Sequence, residues 1–356
     1  MEEVFLSLVR LGVGNSNSIA PLPNDFDWCK AEDLTKRHGL LGIIVDAVEK
    51  LPDNQKPPKL MFLQWVGEVL QEYENRYEKY SKAIGELAAF YNGHGFRMMV
   101  IKGYACGMNW PKPEHRPCGD IDIYLFGQQN EADALMVQEF KVQGFKIDNS
   151  HHHHTVFQWH GFTVENHYDF LNIRQHRSNV KLEKMLKQLA ENNTNTLDVF
   201  GEKVYLPSPN LHALFLLRHA MTHLAATSIN LRQLLDWAFF VKAHGKKVDW
   251  KWLTGIIDEY GMSKMFNIFN AICVGDLGFD VNDFPAFHFD PFLKDRVLRD
   301  IFSPEFSEEE PKGIIHQALF KYRRWRSNQW KHELCFNDSL RSAFWTGVFG
   351  HIVKPS

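Results

Sequence analysis

The apolar residues of this chain change their spacing twice, and those two changes decide what it can fold into. Up to Tyr91 they recur at helical intervals. Val4, Leu8 and Leu11 stand at i, i+4 and i+7 before Gly12, and a second segment runs from Asp27 to Leu51, closed by Pro52. A third starts near Pro58, carries Leu60, Leu63, Val66, Leu70, Tyr73, Tyr77 and Ile84, and stops at Asn92-Gly93. After Gly95 the period contracts. Arg97–Ile101 is a short apolar run, and Asp120-Ile121-Asp122-Ile123-Tyr124-Leu125 alternates with period two, as a strand with one buried face does. Phe145–Asp148, His152–Trp159, Phe162–His167 and a Leu197–Leu206 hairpin read as further strands, with an amphipathic helix at Asn130–Gln143. From Pro207 helical spacing returns, over residues 229–244, 250–260, 263–274, 291–301, 313–330 and 339–353. Strands confined to one central stretch and flanked by helices make an α/β (α+β) chain. We expect an N-terminal helical region over residues 1–94, a core over 95–206 and a C-terminal helical domain over 207–356.

The central stretch also holds the chemistry. On a strand, positions i and i+2 share a face, so Asp120 and Asp122 present two carboxylates side by side, with Ile121 and Ile123 opposite. Adjacent carboxylates repel, and a divalent cation removes the repulsion; hard oxygen ligands suit Mg²⁺ or Mn²⁺. Glu165, on a later strand, is a third carboxylate that would let the site hold two ions. Asp-x-Asp alone is also the pattern of a solvated strand edge. The residues upstream add weight to the metal reading. Ile101-Lys102-Gly103 ends a strand and leads into the small turn Tyr104-Ala105-Cys106-Gly107, where backbone amides can approach a phosphate. Lys102 at the strand end and Arg116 within the Pro111–Pro117 loop are cations for phosphate oxygens, the alternatives being a strand-end lysine and a loop salt bridge.

The order strand, Lys-Gly, short helix, Arg-x-x-Gly-Asp-Ile-Asp, helix, hairpin with Glu resembles the DNA polymerase beta-like nucleotidyltransferase superfamily. Within it the chain is similar to the bacterial uncharacterised nucleotidyltransferase family, through its Lys-Gly…Arg…Gly-Asp-Ile-Asp signature, the run His151–His154, Glu165-x-His167 and the stretch Leu211–Trp237. The resemblance implies a polymerase-beta-like core with a mixed sheet. It implies Asp120, Asp122 and Glu165 as metal carboxylates for two ions, and Lys102, Gly103, Tyr104, Arg116 and Gly119 around the nucleotide. The reaction it implies moves a nucleoside monophosphate from a nucleoside triphosphate to an acceptor, releasing pyrophosphate. The sequence does not choose among a small molecule, sugar, protein or RNA end as that acceptor. One departure is visible: the usual Gly-Ser pair is Gly103-Tyr104, without the serine hydroxyl that commonly touches the triphosphate. That departure supports an alternative, a degenerate nucleotide- or protein-binding module on the same fold.

His167 lies two residues after Glu165, shares its face and is read as a substrate-contacting or ligand-orienting group. His219 and His223 stand at i and i+4 on one helix, as do Arg232 and Asp236. His219 and His223 read as a packing or acceptor-pocket set, and Arg232 and Asp236 as an ion pair or polar contact with it; a second alternative makes His219, His223 and Asp236 the site of a metal-dependent hydrolase, although Ala220 stands where His-Glu-x-x-His needs its glutamate. The net charge of −3 argues against broad nucleic-acid binding, and the basic-aromatic segment Lys321–Arg326 reads first as a solvated helix face. Five scattered cysteines with no paired spacing fit neither a disulfide framework nor structural zinc. With an acidic N-terminus and no membrane-length apolar run, these features lead us to expect a cytoplasmic protein.

Overall fold

The computed structural model describes residues 1–151, 153–309 and 311–337. The helix expected over 339–353 lies outside the described residues. Helices α1 (Glu2–Gly12), α2 (Trp28–His38), α3 (Leu41–Glu49) and α4 (Lys59–Glu68) come first. A π-helical stretch, Val69–Glu74, separates α4 from α5 (Asn75–Gly93), where the sequence predicted one unbroken helix. The central stretch then runs β1 (Met99–Val100), α6 (Tyr104–Gly107), β2 (Ile121–Tyr124), α7 (Gln129–Glu139), β3 (His154–Trp159), β4 (Phe162–His167), α8 (Arg177–Glu191), β5 (Thr196–Val199) and β6 (Glu202–Tyr205). Helices α9 (Pro209–Ala226), α10 (Leu231–His244), α11 (Trp250–Glu259), α12 (Ser263–Ala271), α13 (Pro291–Phe302), α14 (Ile314–Ser327) and α15 (Gln329–Cys335) complete it.

The three expected regions resolve into two units. Among the described residues, one joins Met1–Leu70 to residues 216–337, and the other is the segment Gln71–Phe215. The first boundary falls at the π-helical stretch, so α5 belongs with the sheet and not with the N-terminal helices.

In the helical unit α1 packs on α3 through Phe5, Leu8 and Val9, all fully buried. A Cβ on Gly12 would stand 2.1 Å from the Ile43 carbonyl oxygen, so that close approach admits only glycine. Asp27 caps α2 by accepting from the Cys29 and Lys30 amides, and Asn230 caps α10 in a reciprocal box with Gln233. A buried ion pair joins α13 to α15: Lys331 Nζ lies 2.7 Å from Asp300 Oδ2, with both side chains 0% exposed. Around it Lys331 donates to the Thr227 carbonyl, while Asp300 accepts from Ser228 Oγ and the Glu305 amide. None of the described helices is long and apolar enough to cross a membrane.

In the sheet unit six strands lie in the order β3-β4-β2-β1-β6-β5. The sheet is mixed: β2–β4 and β1–β6 are parallel, while β1–β2, β3–β4 and β5–β6 are antiparallel. Its apolar face carries Val100, Ile121, Ile123, Val164, Phe162 and Val204 against Tyr80, Ile84, Leu87 and Ala88 of α5. Asp133 of α7 accepts from Thr155 of β3 and Asn166 of β4, and this ties α7 to the strand pair. Two local readings differ from expectation. Phe145–Asp148 makes a single bridge, Asp148 to Val156, because Phe145 packs on Phe140 and Phe157 instead of extending a ladder. Helix α8 was not foreseen, although its buried Leu182, Leu186 and Ala190 stand at i, i+4 and i+8.

Candidate active site

Register places the acids. In the parallel pair β2–β4, Asp122 is opposite Glu165 and Tyr124 opposite His167, so both acids project from the face turned away from α5. That face of β2 is closed as well, because Tyr124 stacks near Phe170 and Asp122 is covered by its own partners. Asp122 Oδ1 lies 2.6 Å from Lys102 Nζ and 3.2 Å from His167 Nε2, and the same His167 nitrogen lies 3.3 Å from Glu165 Oε2. His167 thus bridges the two acids. Ligand atoms of Asp122, Glu165 and His167 all fall within 4.8 Å of one another.

Charge and burial oppose each other throughout this group. Burial raises the Asp122 pKa, but Lys102 and the His167 hydrogen bond outweigh it and hold the carboxyl well below the usual range. The His167 hydrogen bond lowers Glu165 against the effect of its own burial. Burial and Lys102 push His167 down, yet its bonds to Asp122 and Glu165 leave it raised. Lys102 is raised in spite of burial by its attraction to Asp122. The four groups form an alternating set of charges that pair with one another.

Asp120 precedes β2 and is exposed. Its pKa is raised by burial of part of the carboxyl and by Glu165 and Asp122, so it senses the acids without joining the 4.8 Å group. Its carbonyl oxygen accepts from Tyr80 Oη at 2.8 Å. Gly103 has φ +39°, and a Cβ there would stand 2.6 Å from that Tyr80 hydroxyl, so positive φ and close approach both require glycine. Tyr104 is buried in the core, stacked on Tyr77 at 6.0 Å, and only its backbone remains for a ligand. Arg116 is buried, and its Nη1 donates to the Pro117 carbonyl. Gly119 is exposed and a Cβ there would meet nothing, so backbone space does not require glycine.

A family model described as an uncharacterised nucleotidyltransferase matches residues 24–274. The chain belongs to this family. Among solved structures it is similar to an antigenic nucleotidyltransferase-like protein from Paracoccidioides brasiliensis, at 14% identity and a TM-score of 0.34, over 47% of this chain and 77% of that one. No protein of curated function matches it.

For this member of the nucleotidyltransferase family, the remaining expected residues lie in the helical unit. His219, His223 and Arg232 line a cavity of about 490 Å³ together with Arg37, His38 and Asn230. His219 and His223 have ring centroids 4.4 Å apart. Asp236 is buried, and among the described residues His219, His223 and Asp236 do not form one group of potential metal ligands. Among the described residues, the groups of three or more potential metal ligands are Asp122-Glu165-His167 and His153-His154-His167. The sequence reading did not foresee that His167 bridges the acids, that Lys102 pairs with Asp122, or that Tyr80 backs the Gly103 turn. Only the last had a local signal: Tyr77, Tyr80 and Ile84 stand on one helical face, with the tyrosines facing a turn that needs glycine.

Proposed function

We propose that this protein is a metal-dependent nucleotidyltransferase, moving a nucleoside monophosphate from a nucleoside triphosphate to an acceptor and releasing pyrophosphate. One observation carries the reading. Asp122 and Glu165 meet in register on adjacent parallel strands, beside a turn that requires Gly103, in a chain of the nucleotidyltransferase family. The donor set fits a divalent ion: carboxylate oxygens and an imidazole nitrogen lie within 4.8 Å of one another, and Asp122 is already paired with the cation of Lys102. Mg²⁺ or Mn²⁺ held there would activate the acceptor hydroxyl and offset charge on the leaving pyrophosphate. Asp122 and Glu165 would hold the ion in common, with exposed Asp120 completing it from the rim. Glu165, kept below the ordinary carboxylate range, stays ionised and suits a ligand more than a proton acceptor. Lys102 must leave Asp122 for an ion to enter, and its freed ammonium then reaches phosphate oxygens. Such an exchange keeps Asp122 paired with a cation at each stage.

Purified protein with Mg²⁺ and labelled triphosphates tests this directly. Binding of at least one nucleotide that requires Mg²⁺, and its loss in Asp122→Asn, is the expected result. Equal binding by both proteins removes the mechanism. A second reading, a nucleotide- or protein-binding module without chemistry, draws support from the Lys102–Asp122 pair and the His167 bridge, which fill the space between the acids. Calorimetric nucleotide binding without pyrophosphate release against any acceptor pool favours that module.

A further inference from the structure

Beside the acids lies a second set of donors, and it is all nitrogen. His154 pairs with His167 across β3–β4. The bend before β3 carries His153 to the same place, where its carbonyl oxygen accepts from the Tyr168 amide at 2.8 Å. The rings crowd: centroids are 4.3 Å apart for His153 and His154, 5.2 Å for His154 and His167, and 5.7 Å for His153 and His167. One nitrogen from each falls within 4.8 Å of the others. The His154 and His167 side chains are 8% and 2% exposed. His154 Nδ1 is buried with no hydrogen-bond partner among the described residues, a cost that needs a reason.

We propose that His153, His154 and His167 form a binding site for a transition-metal dication of the Zn²⁺ class. Three imidazoles select Zn²⁺, Co²⁺, Ni²⁺ or Cu²⁺ over Mg²⁺, which prefers oxygen and keeps its water. Tetrahedral bonds of about 2.0–2.1 Å put nitrogens about 3.3 Å apart, so small ring rotations close the set. A carboxylate stands beside the set, with Glu165 Oε1 3.9 Å from His154 Nε2. His167 belongs to both donor groups and serves one ion at a time. Three protein nitrogens leave a coordination position open. This site stands on its own geometry, whether or not the acids carry out nucleotidyl transfer.

Cobalt reports the site without any activity. Untagged full-length protein, stripped with a chelator, is titrated with Co²⁺ and read by visible absorption. We expect one equivalent to give a d–d band, removed by Zn²⁺ and not by millimolar Mg²⁺. His153→Gln and His154→Gln should each weaken Co²⁺ at least tenfold, while Asp120→Asn and His219→Gln leave it unchanged. Thermal melts of the metal-free variants separate lost binding from lost folding, and partly exposed His153 is the safer change. No band in the wild type overturns the site. A band that survives both histidine changes, or that vanishes in Asp120→Asn, overturns it too.

Discussion

The sharpest test of the acid cluster is to remove its built-in cation. Lys102→Met keeps an unbranched apolar stem and deletes the ammonium 2.6 Å from Asp122 Oδ1, where the two side chains are 20% and 10% exposed. Unit charges at that distance attract by about 6 kcal/mol at an effective dielectric of about 20. Desolvating the pair cancels most of this, leaving a net of about 2 kcal/mol. The loss stays below the roughly 3–5 kcal/mol of a fully buried pair because His167 still faces Asp122. The metal-free protein should therefore be less stable by about 2 kcal/mol. A divalent ion that no longer has to displace an ammonium should bind tighter by the same amount, about thirtyfold. Calorimetric titration with Mn²⁺ in the absence of nucleotide gives the affinity, and thermal melts with chelator and with saturating Mn²⁺ give the stability. The variant should melt below the wild type in chelator and close that gap in Mn²⁺. Mn²⁺ affinity that is unchanged or weaker in Lys102→Met would show that lysine and ion do not compete for Asp122, and the exchange argument fails.

Three other outcomes follow from features away from that pair. Lys331→Met leaves Asp300 charged and buried, and chemical denaturation should show a loss of about 3–5 kcal/mol, with Asp300→Asn plus Lys331→Met recovering part of it. Gly103→Ala combines positive φ with a 2.6 Å contact to the Tyr80 hydroxyl, so it should cost more than about 2 kcal/mol, and adding Tyr80→Phe should return the contact part but not the backbone part. Burial lowers the His38 pKa to about 4 from an unfolded value of 6.5, so the unfolded chain binds the proton first as pH falls. The neutral-form stability is complete above about pH 6.5 and is lost by about 3 kcal/mol as pH falls to about 4. Urea midpoints between pH 4 and pH 7.5 should show that slope, and it should flatten in His38→Asn.

Fold class and the acid strand were legible because they rest on short-range pattern. The period-two run at Ile121–Tyr124 became β2, and the Glu202–Tyr205 hairpin strand fell where turn residues put it. The pairing of β2 with β4 was not legible: Asp122 faces Glu165 only because the two strands are parallel neighbours in register, and register is a tertiary choice. The same limit hid the role of Lys102. A strand-end lysine beside a glycine turn looks equally ready for a phosphate or for a carboxylate 20 positions away, and desolvation inside the fold decides between them. Tyr104 shows the converse. At the position where a phosphate turn commonly has serine, its ring is buried and stacks on Tyr77. The unforeseen π-helical stretch had no periodic signal, since Leu63, Val66, Leu70 and Tyr73 continue the helical spacing straight through it.

The helical unit is split in sequence, with Gln71–Phe215 lying between its two parts. During synthesis the whole of the sheet segment leaves the ribosome before α10 to α15 exist. The first four helices emerge early and wait, with the apolar faces of α1 and α3 lacking their later neighbours. Ribosome-stalled chains ending shortly after Phe215 should therefore hold a protease-resistant sheet segment and a protease-sensitive N-terminal arm.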